Sequence, residues 1–165
     1  MKLSPVQLVE SNPIKLLVEQ NAKYSPIDDG EEYDMQLGHF CRISRMPATL
    51  RDDSNAEIGD HNYYVVLGIR SKSENVNCPY KFELITAGRF QLDAEKFDSE
   101  NGIDDAAAKY GFTMLFGQIR ESLLSMTSRM KKGPLLLPTM SFMDTTYEGT
   151  EFSSKRPAAG KKSIT

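Results

Sequence analysis

The feature that most constrains the fold is an apolar stripe with helical spacing between Tyr110 and Met130. Apolar side chains recur there every three or four residues, at Phe112, Leu115, Phe116, Ile119, Leu123, Met126 and Met130. This period matches one face of an α-helix, whereas a half-buried strand would alternate at every second residue. The following segment, residues 131–134, reads Lys-Lys-Gly-Pro, which is typical of a helix end. The stripe therefore predicts one long helix that buries this face against another layer.

A shorter helical piece is expected directly before the long helix. It begins near Ile103 and directs Ala106, Ala107 and Tyr110 inward. Gly111 is expected to break the helix between the two pieces, because glycine lowers helix stability.

The face opposite the apolar stripe is polar but lightly charged, and it includes Gln118, Glu121 and Ser125. A helix face in contact with water usually carries more Lys and Glu. This face is therefore compatible with burial against another chain.

Segments that precede the helix show the two-residue alternation of β-strands. The clearest runs from Tyr33 to Ser44, and others cover residues 61–69 and 80–92. Residues 1–22 are expected to form one strand with a bend at Asn12-Pro13, or two shorter pieces, and Pro13 favours an edge position. Strands joined by short connections and followed by a helix predict an α+β fold, namely a four-stranded antiparallel sheet followed by a long helix packed on one face.

Length and composition bound the class of protein. The chain has 165 residues, and we expect a single domain over residues 1–152 and a disordered basic tail over residues 153–165. The net charge of −3 gives no reason to expect a nucleic-acid partner. The sequence has no apolar run long enough for membrane insertion and no signal-peptide pattern at Met1. Cys41 and Cys78 do not make a disulfide framework, so the chain is expected to be cytoplasmic.

The sequence offers no pattern that is typical of an enzyme. It has no nucleophile motif, phosphate-binding loop or dinucleotide fingerprint, so we expect neither catalytic residues nor a cofactor. Four side chains could in principle gather a zinc ion: His39, Cys41, His61 and Cys78. Their spacing is not that of a known zinc site, so a core thiol and a strand histidine are the favoured interpretation, with no metal. The acidic segments 51–60 and 93–105 do not match a calcium loop and are expected to be solvated.

The apolar residues outside the helix are more informative. Phe40 and Tyr64 stand on the less apolar faces of their strands, and an apolar, proline-bounded segment follows the helix. The residues expected to line a long client-binding groove are Phe40, Tyr64, Leu135, Leu137, Met140 and Phe142. Met, Leu and Phe suit a groove that binds many partners, because none of them requires a specific hydrogen bond. The alternative is an ordinary core beneath a loop.

The order of these elements resembles the SecB family of protein-export chaperones. The residues that carry the resemblance are Phe82-Glu83 with Gly88-Arg89-Phe90, Leu115-Phe116 followed by Ile119-Arg120-Glu121, Met126-Thr-Ser-Arg129, Leu137-Pro138 and Phe142. These matches cover about a third of the chain, and the order of elements fits nearly all of it. Gly117 stands where the family commonly has proline after the Leu-Phe pair of the helix.

The resemblance implies an ATP-independent holdase that keeps unfolded polypeptides, such as preproteins for export, in long apolar grooves. It implies a homotetramer built as a dimer of dimers, with Gln118, Glu121 and Ser125 at the oligomer interface. SecB relatives pass clients to the translocation motor SecA, which docks on an acidic and apolar sheet surface. Glu83 matches an acidic position of that surface, whereas Lys15 and Lys81 oppose the same charge pattern.

Other functions stay open at this point. Some SecB-like proteins guard an antitoxin in a toxin–antitoxin system, and the residues do not choose between these clients. A small-ligand-binding α+β domain and an adaptor for one folded partner are the alternatives from other classes. Indiscriminate affinity for unfolded chains would distinguish the holdase from both.

Overall fold

The computed structural model describes residues 4–25, 35–46, 61–72, 77–143 and 148–149, and structural statements refer to these ranges. The elements in chain order are β1 (Val6–Gln20), β2 (Leu37–Arg45), β3 (Asn62–Ser71), β4 (Tyr80–Leu92), a short 3-10 helix (Ala94–Lys96), α1 (Glu100–Thr127) and β5 (Glu148–Gly149). The predicted start of β2 at Tyr33, the acidic segment 51–60 and the basic tail lie outside the described residues. No described helix is long and apolar enough to span a membrane.

The strands form one sheet in the order β1-β4-β3-β2-β5. The pairs β2–β3 and β3–β4 are antiparallel neighbours, as expected for strands joined by short connections. β1 instead pairs antiparallel with β4, so β1 and β2, which follow each other in the chain, are separated in the sheet by β4 and β3. β5 was not predicted, and it adds a two-residue parallel pairing to β2 at Arg42 and Ile43. The predicted α+β fold, four antiparallel strands followed by a long helix, is confirmed.

β1 is a single edge strand, which confirms the position that Pro13 indicated. Its pairing with β4 shifts register between Leu8 and Glu10 and again between Pro13 and Lys15. Each shift leaves one residue without a partner on β4, and these residues are the exposed Val9 and Ile14. Such irregularities bend an edge strand without interrupting it, so the two-piece alternative is wrong.

The two faces of the sheet have different surroundings. The inner face packs against α1, and its buried residues include Tyr63, Val65, Leu67, Ile69, Phe82, Leu84 and Phe90. The outer face is the opposite side, where Tyr64 and Lys81 are exposed. Among the described elements, none packs on the outer face, because the helix contacts with β1, β3 and β4 are all made from the inner side. The sheet therefore has one face in the core and one face towards solvent.

The helix is continuous from Glu100 to Thr127, so the predicted break at Gly111 is wrong. Ser99 caps its first turn, because the Ser99 hydroxyl accepts a hydrogen bond of 3.1 Å from the Gly102 amide. Gly111 is instead a point of close packing. A Cβ atom at this position would lie 3.0 Å from a methyl carbon of Val65 on β3.

The inward face of α1 differs in part from the predicted stripe. Phe112, Leu115, Phe116, Ile119 and Leu123 are buried, as expected. Tyr110 is 49% exposed, because the small residues Ala107 and Gly111 occupy the side of the helix closest to the sheet. Met126 is also exposed, because it lies beside Ser122 and Ser125, whereas Leu123 and Thr127 take the buried positions of the last turn.

The contrast between Gly111 and Gly117 gives a test of this packing. Gly117 is exposed, and a Cβ atom there would meet nothing within 4 Å. We expect Gly117→Ala to raise the free energy of unfolding by about 1 kcal/mol, because alanine favours the helix. We expect Gly111→Leu to lower it by about 1–3 kcal/mol through overpacking against β3. Urea unfolding followed by circular dichroism measures both changes, and stabilisation by Gly111→Leu would contradict the close packing.

Candidate functional site

The outer face of the sheet presents two exposed aromatic side chains. Phe40 on β2 is 45% exposed, and Tyr64 on β3 is 36% exposed. The Phe40 ring lies on the backbone of Gly68, its direct partner on β3, and a Cβ atom at Gly68 would overlap the ring. Glycine at this position therefore lets the ring lie against the sheet backbone while nearly half of the residue stays exposed to solvent.

A small depression lies beside the Phe40 ring, and we call it the Phe40 hollow. It has a volume of about 160 Å³ and is lined by Gly38, His39, Phe40, Gly68, Ile69, Arg70 and Glu83. Sites for small organic ligands usually have volumes of about 300–1,000 Å³. The hollow is therefore smaller than a usual small-molecule site, but it has room for one side chain of a larger partner.

Charged side chains surround the hollow. Glu83 on β4 lies opposite Arg70 on β3 in the register, but its carboxylate forms an ion pair with Lys15 of β1. Within the described part of the chain, Arg70 makes no ion pair. Lys81 is exposed on the same face of β4. The apolar centre of the hollow is therefore flanked by Arg70 and by Glu83, whose carboxylate is already paired with Lys15.

The segment after α1 packs into the core on the inner side. The Leu135 amide donates a 2.8 Å hydrogen bond to the hydroxyl of the buried Thr127. The Tyr80 hydroxyl donates a 2.6 Å hydrogen bond to the Gly133 carbonyl, and burial raises the pKa of Tyr80, which keeps this donor protonated. Gly133 has a φ of 82°, a left-handed conformation that glycine adopts without strain. These bonds fix the turn that returns the chain to the sheet.

The structure does not bring the predicted groove residues together on one surface. Leu135, Leu137 and Phe142 are 6%, 0% and 2% exposed, and they belong to the core on the inner side. The Phe142 ring lies 6.0 Å from that of Phe112 and 5.6 Å from that of Phe116. Met140 is partly buried against the same core. Phe40 and Tyr64 lie on the opposite face of the sheet, so the groove expected between sheet and segment is divided into two regions.

Alternate residues of the segment point away from the core. Leu136 is 54% exposed, and Met143 is 58% exposed. The sequence analysis did not predict that these two apolar residues are exposed. The sequence does contain a signal, because successive side chains of an extended segment, such as Leu135, Leu136 and Leu137, point to opposite sides.

The predicted interface residues do come together on the structure. Gln118, Glu121 and Ser125 line an open depression of about 480 Å³ with Leu16, Ser122 and Met126, and we call this region the α1–β1 surface. Leu16 and Met126 are 44% and 36% exposed. Sequence reasoning missed Leu16, because the shift of register after Pro13 sets which residues of β1 face the helix.

Both cysteine thiols are buried. Burial raises the pKa of Cys41 to about 11, so its thiol stays protonated and a poor nucleophile at neutral pH. Cys78 is also buried and free. His39 is exposed, and the described residues include no group of three or more side chains that could hold a metal ion.

Comparison with solved structures identifies the fold. The chain is similar to the SecB-like chaperone Rv1957 of Mycobacterium tuberculosis, whose structure was solved with a ChAD peptide from the HigA1 antitoxin. The similarity covers 83% of this chain and 91% of that one, with a TM-score of 0.53 and 20% sequence identity. The resemblance to SecB-like chaperones is thus confirmed at the level of the fold.

A protein of unknown function from Streptococcus agalactiae is more distantly similar. It has 10% identity over 81% of this chain and 97% of that one, with a TM-score of 0.38. No protein-family model matches the sequence, and no curated protein matches it.

The two phenylalanines on opposite faces differ in their expected contribution to stability. We expect Phe142→Ala to lower the free energy of unfolding by about 3–5 kcal/mol, because the ring is buried in the core. We expect Phe40→Ala to lower it by about 1 kcal/mol, because nearly half of the side chain is already in water. Urea unfolding of the two variants checks this, and equal losses would contradict the assignment of Phe40 to a solvent-facing surface.

Proposed function

We propose that this protein is an ATP-independent holdase that binds unfolded polypeptides. The observation that carries the proposal is the combination of a SecB-like fold with an outer sheet face that presents Phe40 and Tyr64 to solvent. Exposed aromatic and aliphatic groups bind unfolded chains through burial of apolar area, which needs no nucleotide. The peptide-bound state of the solved SecB-like neighbour supports a polypeptide as the ligand.

The proposed client contacts fall into two groups with different accessibility. Phe40 and Tyr64 are available without any rearrangement. Leu135, Leu137 and Phe142 would contact a client only if their segment left the core, which would expose buried apolar side chains at a cost of several kcal/mol. In the proposal, a client contacts this segment at the exposed Leu136 and Met143 and at the half-buried Met140, while the buried residues stay in the core.

The proposal includes a homotetramer built as a dimer of dimers, with the α1–β1 surface as an interface. Gln118, Glu121 and Ser125 surround exposed aliphatic side chains there, a mixture that is typical of a surface between subunits. A cytoplasmic location is consistent with the buried free thiols of Cys41 and Cys78.

The charges on the outer face favour some clients and partners over others. A partner that docks on acidic groups, as SecA does on SecB, would meet Glu83 already paired with Lys15 and the exposed Lys81 beside it. Cations at these positions oppose such docking. Delivery of exported preproteins to SecA is therefore the weaker form of the proposal. The antitoxin-bound neighbour favours the second form, a chaperone dedicated to an antitoxin.

The small-ligand alternative has less support. The Phe40 hollow is smaller than a usual ligand site, and the depression on the α1–β1 surface is shallow and open.

The proposed activity is tested by refolding. A slowly folding, chemically denatured protein is diluted into buffer that contains this protein and no nucleotide. We expect refolding to stop at a near-stoichiometric ratio of tetramer to client, and Phe40→Ser to weaken this arrest about threefold or more through lost apolar contact. The matched control, Phe40→Leu, keeps an apolar side chain and should retain most of the arrest. Refolding that proceeds at its normal rate with the wild-type protein would contradict the holdase proposal.

The proposed interface is tested separately by light scattering after size exclusion. We expect Ser125→Arg to reduce the assembly below a tetramer, because the added charge would be buried in the interface without a partner. Gln91→Arg is the matched control, since Gln91 is exposed on the outer face. A Ser125→Arg protein that stays tetrameric would place the interface elsewhere.

A further inference from the structure

The outer face has a charge balance opposite to that of the whole chain. Among the residues of β1, β2, β3 and β4 that point to this face, the cations are Lys15, Arg42, Arg70, Lys81 and Arg89, and the acids are Glu10, Glu19 and Glu83. The full chain carries a net charge of −3. An excess of cations on one face of an acidic protein favours an anionic partner at that face.

Each acid on this face already has a cation beside it. Glu83 is ion-paired with Lys15, Glu19 lies opposite Lys81, and Glu10 lies opposite Arg89 in the register of β1 and β4. Arg70 is different, because the one acid opposite it is Glu83, whose carboxylate is bound by Lys15 from the other side. Arg70 is exposed and makes no ion pair among the described residues, so its guanidinium is available to a partner.

Two glycines shape the surroundings of Arg70. Gly38 is its direct partner on β2, and a Cβ atom there would lie 3.1 Å from the Arg70 Nε atom, so the arginine side chain lies close against the β2 backbone. Gly68 admits the Phe40 ring in the same way. The guanidinium and the exposed ring thus line one hollow of about 160 Å³, which has room for a single side chain. In an extended peptide, residues i and i+2 point to the same side, so one can reach the ring while the other reaches the cation.

We propose that the Phe40 hollow binds extended polypeptide segments that carry a carboxylate two residues from an apolar side chain. The apolar side chain enters the hollow against Phe40, and the carboxylate pairs with Arg70, with the other outer-face cations adding a longer-range attraction. This inference rests on the proposed holdase function and names the class of client segment that this surface selects.

The test uses fluorescein-labelled peptides of equal length in a Gly/Ser background, with the central sequence Glu-x-Leu, Gln-x-Leu or Lys-x-Leu. Binding to the full-length protein is followed by fluorescence anisotropy. We expect the Glu peptide to bind about fivefold more tightly than the Gln peptide, and the Lys peptide to bind most weakly. The preference should shrink at about 0.5 M salt, because exposed charge pairs are screened.

Variants assign the preference to the hollow. Arg70→Gln should abolish the difference between the Glu and Gln peptides while leaving the binding of the Gln peptide unchanged. Arg129→Gln, a matched change at an exposed residue just beyond α1, should leave the preference intact. Glu83→Gln should strengthen binding of the Glu peptide about twofold, because Lys15 then loses its intramolecular partner.

The outcomes separate this inference from the holdase proposal. Equal binding of the three peptides, or a preference that survives in Arg70→Gln, would overturn the inference even if refolding is arrested. Binding of none of the peptides would overturn it as well. A preference for the Glu peptide that requires Arg70 would support it, even if the protein fails to arrest refolding and the general holdase activity is wrong.

Discussion

The close contact between α1 and the inner face of the sheet is the constraint on which the rest of the structure depends. Gly111 and Ala107 bring the helix near to β3, and larger side chains on either side of this contact fill the space between the layers. The chain after the helix then returns over the same face, held by Thr127 and Tyr80. Among the described residues, the hydrophobic core cluster lies on one side of the sheet, because the helix and the segment that follows it share that side.

A core confined to the inner side leaves the outer face available for other roles. A sheet with one solvent-facing side usually carries polar residues there, yet Phe40 and Tyr64 stand on it with large exposed areas. Phe40 can lie against the β3 backbone only because Gly68 has no side chain, so the sheet supports one side of the exposed ring. An aromatic group that the sheet supports on one side loses less conformational entropy on binding than a freely rotating side chain.

Burial of the segment after α1 changes the energetics of the proposed client binding. Leu135, Leu137 and Phe142 stabilise the fold itself, so a client could use them only by competing with the core. The exposed side chains of the outer face and of Leu136 carry no such cost. Lys15 binds the Glu83 carboxylate beside the Phe40 hollow, so a partner that enters the hollow meets the Arg70 guanidinium.

The sequence by itself determined the class of fold, because local patterns carry that information. The period of the α1 stripe, the alternation in β2 and β3 and the proline in β1 each follow from which neighbouring residues must share a face. The resemblance that rests on Gly88-Arg89-Phe90 and the helix residues then identified the fold as SecB-like, which the structural comparison bears out. The predicted interface residues share one surface because they lie on one face of a single helix.

Only the tertiary structure decided which strands are neighbours and which apolar residues are free. The pairing of β1 with β4 brings Lys15 to Glu83, two residues far apart in the chain, and no local pattern encodes this contact. Gly111 has a low helix propensity, but its packing against Val65 outweighs that preference, so the helix continues. The division of the predicted groove also depends on the tertiary structure. The sequence pattern of an extended segment shows which residues alternate, but it does not show against which face of the sheet the segment packs.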